Sequence, residues 1–286
     1  MAARVWCWTP NPVLEIKFSH RGCFVSAGGK AHNVARQLRC WGVPVVSVVA
    51  EAGPEWIRQA KRDGTRIRVI PVPALARTGW AFINGPGQRL DFFTPDPRWT
   101  HRDWSRCRHY FLRNVRKGEW LVVAGSVPQG ARRGWWRTLF SELRNNGVRV
   151  LVDGKGPLLR EALAAGVEWA KANLSEAEET LMCRGGSGCL DKMKKLSGGR
   201  SCLMITRGSR GLVLRAGQTN LTVPSPKIRL QDATGAGDVV TAALMVGIRK
   251  NWEIGKIARF AAWAGAEQAA TRDGAVGRLM GRGVFR

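Results

Sequence analysis

Acidic residues are scarce in this chain. Its 286 residues hold 21 Asp and Glu against 46 Lys and Arg, a formal net charge of +25. A field of that sign favours an anionic ligand without choosing among phosphorylated metabolites, nucleotides and nucleic acids. The cations are spread along the whole chain, whereas a dedicated nucleic-acid binder concentrates them in one arm or helix. Nucleic acid is therefore the less favoured partner. No apolar run approaches the roughly 18 residues that a membrane-spanning helix needs. The start, MAARVWCWTPNPVLE, has no apolar stretch of signal-peptide length, so no secretion signal is read and a cytoplasmic location is expected. No C-x-x-C pair occurs among the seven cysteines, and their number is odd. That argues against a disulfide framework and against a zinc site, and for reduced thiols. Tyrosine occurs once against thirteen tryptophans. There is no linker, repeat or low-complexity tract, and one domain over residues 1–286 is expected.

What is present is a core-forming chain, 44% hydrophobic, in which apolar β-type runs alternate with helical patterns. Arg4–Trp8 reads as a first strand. Ala31, Val34, Ala35 and Leu38 lie at the spacing of one helix face, ended by Gly42. Pro44–Ala50 is β-branched, and Glu55–Arg62 reads as a helix. Trp120–Gly125 is continuously apolar, as in a strand covered on both faces. A helix near Gly134–Asn145, a strand at Val148–Asp153 and a helix near Leu158–Ala165 follow. EWAKAN, SEAEETLM, SCLMITRG and GLVLRAG continue the series. Such alternation means crossover connections and an α/β fold, a doubly wound and mostly parallel sheet flanked by helices. Two stretches interrupt it, at about 12–27 and 76–94. The second carries WAFIN, GPGQ and LDFF, a hairpin around a Gly-Pro-Gly turn. Together they predict a small antiparallel lid. His101–Lys117 mixes Trp104, Tyr110 and Phe111 with five arginines, which suits base stacking or a helix with its aromatics in the core; the helix is favoured.

The segment from Gln231 to Met245 carries the most chemistry. Gly235, Ala236 and Gly237 leave backbone N–H groups exposed where an apolar helix begins. With the positive end of the helix dipole they make an anion site suited to phosphoryl transfer. Asp238, in the first turn, can accept the proton of an attacking hydroxyl. The same pattern also fits a first-turn acid and glycines kept for packing.

D-A-T-G-A-G-D in this segment resembles the C-terminal signature of ribokinase-like carbohydrate kinases, also called the phosphofructokinase B family. A-G-G-K-A-H-N-V-A (Ala27–Ala35) resembles their N-terminal signature. T-P-N-P-V-L-E (Thr9–Glu15) resembles the opening of the branch holding 1-phosphofructokinase and tagatose-6-phosphate kinase. A-G-S-V-P-Q-G (Ala124–Gly130), the N-x-x-E of Lys171–Glu176 and Ile205–Gly211 follow in family order. The resemblance spans nearly the whole chain.

It implies a doubly wound domain with a β lid, an ATP-dependent kinase for a phosphorylated ketohexose, and a need for Mg2+. Asp238 would be the base, and Gly235, Ala236 and Gly237 the anion hole. Asn173 and Glu176 would place magnesium through water; the alternative is a helix cap. Gly28, Gly29, Asn33 and Glu15 fall on the sugar side. Lys30 and Arg77 would meet the substrate's own phosphate. Lys171, Thr206, Gly208, Gly211, Ala262, Ala264 and Gly265 would lie toward ATP. Asp232 and Thr234 match the form that holds a monovalent cation such as K+ in some members. Lids in this family often pair across a homodimer.

The chain departs from the pattern in four places. Glu15 replaces an Asp, and Ala31 replaces the Gly of GGKG. The segment between Asn11 and Gly28 is short, which predicts a trimmed lid. Lys155, in D-G-K-G, is a candidate phosphate contact. A kinase for a free sugar or nucleoside, and a catalytically weak kinase-derived nucleic-acid binder, are the rival readings.

Overall fold

The computed structural model describes residues 3–19, 22–73, 75–85, 88–271 and 276. The chain opens with β1 (Val5–Thr9), β2 (Val13–Ser19) and β3 (Gly22–Gly28). Next come α1 (Lys30–Cys40), β4 (Val45–Ala50), α2 (Pro54–Arg62), β5 (Ile67–Ile70), β6 (Arg77–Gly85) and β7 (Gln88–Phe93). The middle holds α3 (His101–Asn114), β8 (Trp120–Ala124), α4 (Trp135–Asn145), β9 (Arg149–Asp153), α5 (Gly156–Ala165) and β10 (Trp169–Asn173). The last third is α6 (Leu174–Leu181), α7 (Gly186–Ser197), β11 (Cys202–Thr206), β12 (Leu212–Ala216), β13 (Thr219–Val223), α8 (Ala236–Arg249) and α9 (Ile254–Ala269).

Nine strands form the main sheet in the order β13-β12-β11-β10-β9-β8-β1-β4-β5. All neighbours are parallel except at β12 and β13, which close one edge antiparallel. Strand order reverses at β1, which sits between β4 and β8, so ligands are expected beyond the carboxyl ends of the strands there. The side-chain period of two decides the layers. Val5 and Cys7 of β1 pack with α1, α8 and α9, and Trp6 and Trp8 pack with α3 to α7 on the other face.

The tryptophan excess is a core feature. Trp8, Trp104, Trp135 and Trp136 meet with ring centroids 4.7 to 6.2 Å apart, beside Phe111. Trp104, Cys107 and Phe111 bury one face of α3 and its arginines point away. Trp104 and Phe111 are therefore not free to stack on bases, and Tyr110 is partly buried beside them.

The lid is a four-stranded sheet, β3-β2-β6-β7, made from the two interrupting stretches. It is not wholly antiparallel. The β2–β3 and β6–β7 pairs are antiparallel hairpins, but β2 and β6, which join them, run parallel. Both arise from the carboxyl side of the main sheet and leave it in one direction. Pro86 and Gly87 of the Gly-Pro-Gly turn lie outside the described residues. The short segment after Asn11 still forms two seven-residue strands.

Three elements escape the sequence patterns. β5 has four residues and two of them are exposed, and β13 is an edge strand with mixed polarity. α7 begins Gly-Ser-Gly, which looks like a loop until Cys189, Leu190 and Met193 bury its inner face. The thiol expectation also needs correction at one pair. Cys183, after α6, and Cys189, on α7, form a disulfide, while Cys7, Cys23, Cys40, Cys107 and Cys202 are free. The turn between the two helices brings together residues whose spacing matches no redox or metal motif.

Candidate active site

Asp238 stands in the first turn of α8, 5% exposed. The helix starts there because Gly235, its N-cap, takes the left-handed conformation at φ 76°, which suits a residue without Cβ. The N–H of Ala236 is already bonded to Ala233 O at 3.2 Å. Among the described residues the N–H groups of Gly235 and Gly237 have no backbone acceptor. An anion here would have the two glycine N–H groups open to it, not those of all three residues.

α1 meets α8 at this point. Asn33 Nδ2 donates to Asp238 Oδ2 at 2.8 Å. Burial raises the Asp238 carboxyl to about 7, against the pull of Lys30 and the Asn33 hydrogen bond. A carboxyl that is half ionised near neutrality matches what a general base needs. Gly29, N-cap of α1, has φ 124°, and a Cβ there would meet Thr9 Cγ2 at 2.4 Å. That contact seats the amino end of α1 against the end of β1.

Lys30 follows Gly29. Its ammonium donates to Glu176 Oε1 at 2.8 Å. Burial disfavours its charge, but Asp153, Glu176 and Asp238 outweigh burial and raise its pKa. Lys30 therefore joins the sugar-side helix to the N-x-x-E element. The expected free cation awaiting a substrate phosphate is instead an ion-paired one at the centre of the carboxylates.

Asp153 is the residue that sequence reasoning passed over. D-G-K-G drew attention to Lys155, yet Lys155 is half exposed and pairs with Glu179 at 3.0 Å on the surface. Asp153 is the buried one. Lys171 sits opposite it across β9 and β10 and donates to its Oδ2 at 2.8 Å; Thr241 of α8 donates to the same oxygen at 2.7 Å. Burial pushes the Asp153 carboxyl up, and Lys171 and Lys30 more than reverse it, so its pKa is lowered. Lys171 Nζ also lies 3.8 Å from the position a Cβ of Gly237 would take. Its place is under the anion loop. The usable signal was an acid ending a strand at the carboxyl edge of a parallel sheet.

Asn173 and Glu176 do form a helix cap. Asn173 Oδ1 accepts from Glu176 N at 2.8 Å, and Glu176 Oε2 accepts from Asn173 N at 3.0 Å. No cluster of three or more His, Cys, Asp and Glu able to hold a metal occurs among the described residues. Magnesium keeps several waters and binds through few carboxylates, so the fit is outer-sphere. Glu176 and the unpartnered, buried Asp153 Oδ1 are the oxygens available to its waters. A bound magnesium would screen the phosphates' charge.

The residues expected on the sugar side fall into two groups. Glu15 of β2 packs on Gly28, where a Cβ would come within 2.6 Å of it, and pairs with Lys17 at 3.2 Å. Arg77, at the start of β6, pairs with Asp96 at 2.8 Å and donates to Ser126 Oγ at 3.1 Å. Asn11 Nδ2 donates to both Asp96 Oδ1 and Ser126 Oγ. Asn11 and Ser126 lie in the two quoted motifs, but their meeting with Asp96 needed the fold.

The positions expected to face ATP divide as well. Thr206 ends β11 and Gly208 opens an exposed turn. Gly211 is there for packing: a Cβ would strike Val223 O at 2.0 Å. Ala264 is fully buried, Ala262 nearly so, and a Cβ on Gly265 would meet Val240 Cγ2 at 2.7 Å. These three small residues let α9 pack closely on α8 and present no surface for adenine.

A buried acid at a helix start, open glycine N–H groups beside it and a lid across the strand ends are arranged as in a phosphotransferase of the ribokinase-like fold. The sequence profile of the pfkB family carbohydrate kinases matches residues 22–277. The chain belongs to that family, and it is an ATP-dependent carbohydrate kinase. It is similar to the ATP-dependent 6-phosphofructokinase isozyme 2 of Escherichia coli K12, 24% identical over 272 residues, covering 90% of this chain and 86% of that protein. The isozyme 2 of Mycobacterium tuberculosis H37Rv is 24% identical over 256 residues, covering 85% and 74%. The tetrameric inhibited form of E. coli phosphofructokinase-2 superposes with a TM-score of 0.85 at 19% identity, covering 99% and 100% of the two chains. No helix among the described residues is long and apolar enough to cross a membrane.

Proposed function

We propose that this kinase transfers the γ-phosphoryl of Mg-ATP to a hydroxyl of a phosphorylated ketohexose, with Asp238 as the base. The observation that carries the reading is the buried Asp238, raised to about 7 and held by Asn33 beside the open N–H groups of Gly235 and Gly237. In-line transfer needs positioning and charge stabilisation more than covalent help. Asp238 takes the proton of the attacking hydroxyl. The two glycine N–H groups and Lys30 stabilise charge that grows on the moving phosphoryl, and Lys171 holds the floor of that site. Bound ATP supplies the phosphoryl group, and magnesium through water at Glu176 is part of the reading.

The phosphorylated acceptor is supported by cations on the site-facing side of the lid: Lys17, Arg77 and Arg89, each beside a carboxylate. The relatives named 6-phosphofructokinase and a neighbour named as a possible 1-phosphofructokinase from Thermotoga maritima (18% identity, TM-score 0.80, covering 96% of this chain and 94% of that one) favour fructose phosphates over tagatose 6-phosphate. Glu15, one methylene longer than Asp, would read a hydroxyl of the sugar.

The lid also supports a homodimer. Alternation puts Phe18, Val25, Phe82, Leu90 and Phe92 on the side away from Glu15, and all five are exposed. Phe18 and Phe82 stack at 5.1 Å. An apolar sheet face of this kind marks an interaction site, and a second lid is its proposed occupant.

The test is ADP release from Mg-ATP with fructose 1-phosphate, fructose 6-phosphate, tagatose 6-phosphate, fructose, ribose and adenosine, for wild type and Asp238→Asn. Turnover on one phosphorylated sugar, lost in the variant, is the expected result. Turnover confined to a free sugar or adenosine would overturn the substrate class.

A further inference from the structure

The lid sends one charged side chain into the loop ahead of the anion site. Arg89 of β7 lies with Nη1 3.7 Å from Asp232 Oδ2. Its Nε donates to Asp91 Oδ1 at 2.8 Å and Oδ2 at 2.9 Å, which fixes the guanidinium plane. Asp232 is fixed too. Its Oδ1 accepts from Thr234 N at 2.8 Å, and its own N–H and that of Gln231 both reach Ala269 O. The facing atoms, Arg89 Nη1 and Asp232 Oδ2, are both buried and neither has a hydrogen-bond partner. Arg89 is the cation that faces Asp232, and it is shared with the closer Asp91.

Asp232 and Thr234 are the residues that match a monovalent-cation site, and a potassium complex is known for E. coli phosphofructokinase-2, a structural neighbour. Among the described residues, Asp232 and Thr234 do not fit that ion. One carboxylate oxygen is taken by the loop's own N–H. The other faces a fixed positive charge, and a second cation beside it would be repelled. The Thr234 carbonyl, a natural ligand for a large cation, accepts from Gln268 Nε2 at 3.5 Å.

We infer that Arg89 is a built-in cation: it takes the charge position at Asp232 that a monovalent ion would fill, and so ties the seating of the Asp232–Gly237 loop to closure of the lid. A freely exchanging ion would order this loop whether the lid is open or shut. A lid-borne guanidinium orders it only when the lid is down, which is when a substrate is enclosed. Arg89 is thus a positioning residue for the anion site. Its catalytic consequence rests on the kinase reading above; the cation inference itself does not.

The experiment compares wild type, Arg89→Met and Arg89→Lys in chlorides of potassium, sodium and tetramethylammonium at one ionic strength, by thermal unfolding and by ADP release. Wild type and the Lys variant should unfold at the same temperature in all three salts. Arg89→Met should gain stability in potassium alone. With the best acceptor, its rate should fall in tetramethylammonium and recover in potassium by roughly fivefold or more, an ordinary coupling between two sites. A potassium-specific rise in unfolding temperature or rate for wild type would overturn the inference, as would an Arg89→Met protein blind to all three ions. Unfolding reads cation binding even with no acceptor turned over, so failure of the kinase reading and failure of this one give different results.

Discussion

The floor of the site and its lid are built on opposite terms. The floor lies at the strand ends of the main sheet, where Asp153, Lys171, Thr241, Lys30 and Asp238 are locked by hydrogen bonds and buried charge. The lid is two hairpins joined by one parallel pair. One of its faces is apolar and open to solvent, and its charged face is held to the floor by side-chain pairs such as Arg77–Asp96 and Arg89–Asp232. The floor holds its charge distribution in advance of substrate, as electrostatic catalysis requires. The lid meets the floor through a few partly buried ion pairs. On the proposed reading, chemistry falls to the buried half and recognition to the half that stands on the surface.

The largest expected effect tests the floor. Asp238→Asn should lower kcat by roughly two to four orders of magnitude, the usual worth of a positioned base. It should also stabilise the fold, with opposite pH signatures in the two measurements. Asp238 titrates near 7 when folded, above the ordinary 3.8, so the folded state binds the proton more tightly. Its burial therefore costs stability progressively as pH rises from about 4 to about 7, and fully above that. The unfolding-temperature gain of Asp238→Asn should be greatest above pH 7 and vanish below about pH 4. Wild-type kcat should instead climb with pH through about 7. A rate flat from pH 5 to 8 would remove Asp238 as the base.

Next in size is the buried pair beneath the anion loop. Lys171→Met leaves Asp153 charged and unpaired in the interior, a loss of about 3–5 kcal/mol. Urea unfolding should show it, and replacing Asp153 by Leu as well should restore much of the loss, because no lone charge remains. The lid should behave otherwise. Phe82→Glu places a charge on the open apolar face, and the expected outcome in sedimentation is a monomer with an unchanged unfolding temperature. If sedimentation shows the same mass for both proteins, that face is not the dimer interface. The smallest effect belongs to Cys183→Ser. A closure spanning six residues is worth about 2 kcal/mol by loop entropy and includes none of the candidate site residues, so unfolding should shift and kcat should not.

Legibility in the sequence followed how local each feature is. Trp120–Gly125 and Val148–Asp153 declared themselves because buried parallel strands are unbroken apolar runs. Asp238 stood out because an acid after small residues at a helix start fits an anion site as well as a first-turn acid, and the full D-A-T-G-A-G-D signature favoured the first. α7 was hidden by its Gly-Ser-Gly opening, and β5 by its four residues. Lys155 misled because D-G-K-G names a cation without saying which way it points. The partner of Lys30 was hidden because Glu176, 146 positions later, reaches it only through the fold. Ala264 and Gly265 looked like room for adenine, and small residues make equal room for a neighbouring helix.

By itself the sequence determined the alternation of strands and helices, the presence of a lid, and the place of Asp238 and its glycine loop at the start of one helix. These depend on periodicity and on backbone conformations that neighbouring residues dictate. Only the tertiary structure decided the charge partners: Asp153 with Lys171, Lys30 with Glu176, Arg89 with Asp232, and Cys183 bound to Cys189. Electrostatic interaction follows distance in space, and a chain this basic offers each carboxylate more than two possible partners for every one the fold brings near.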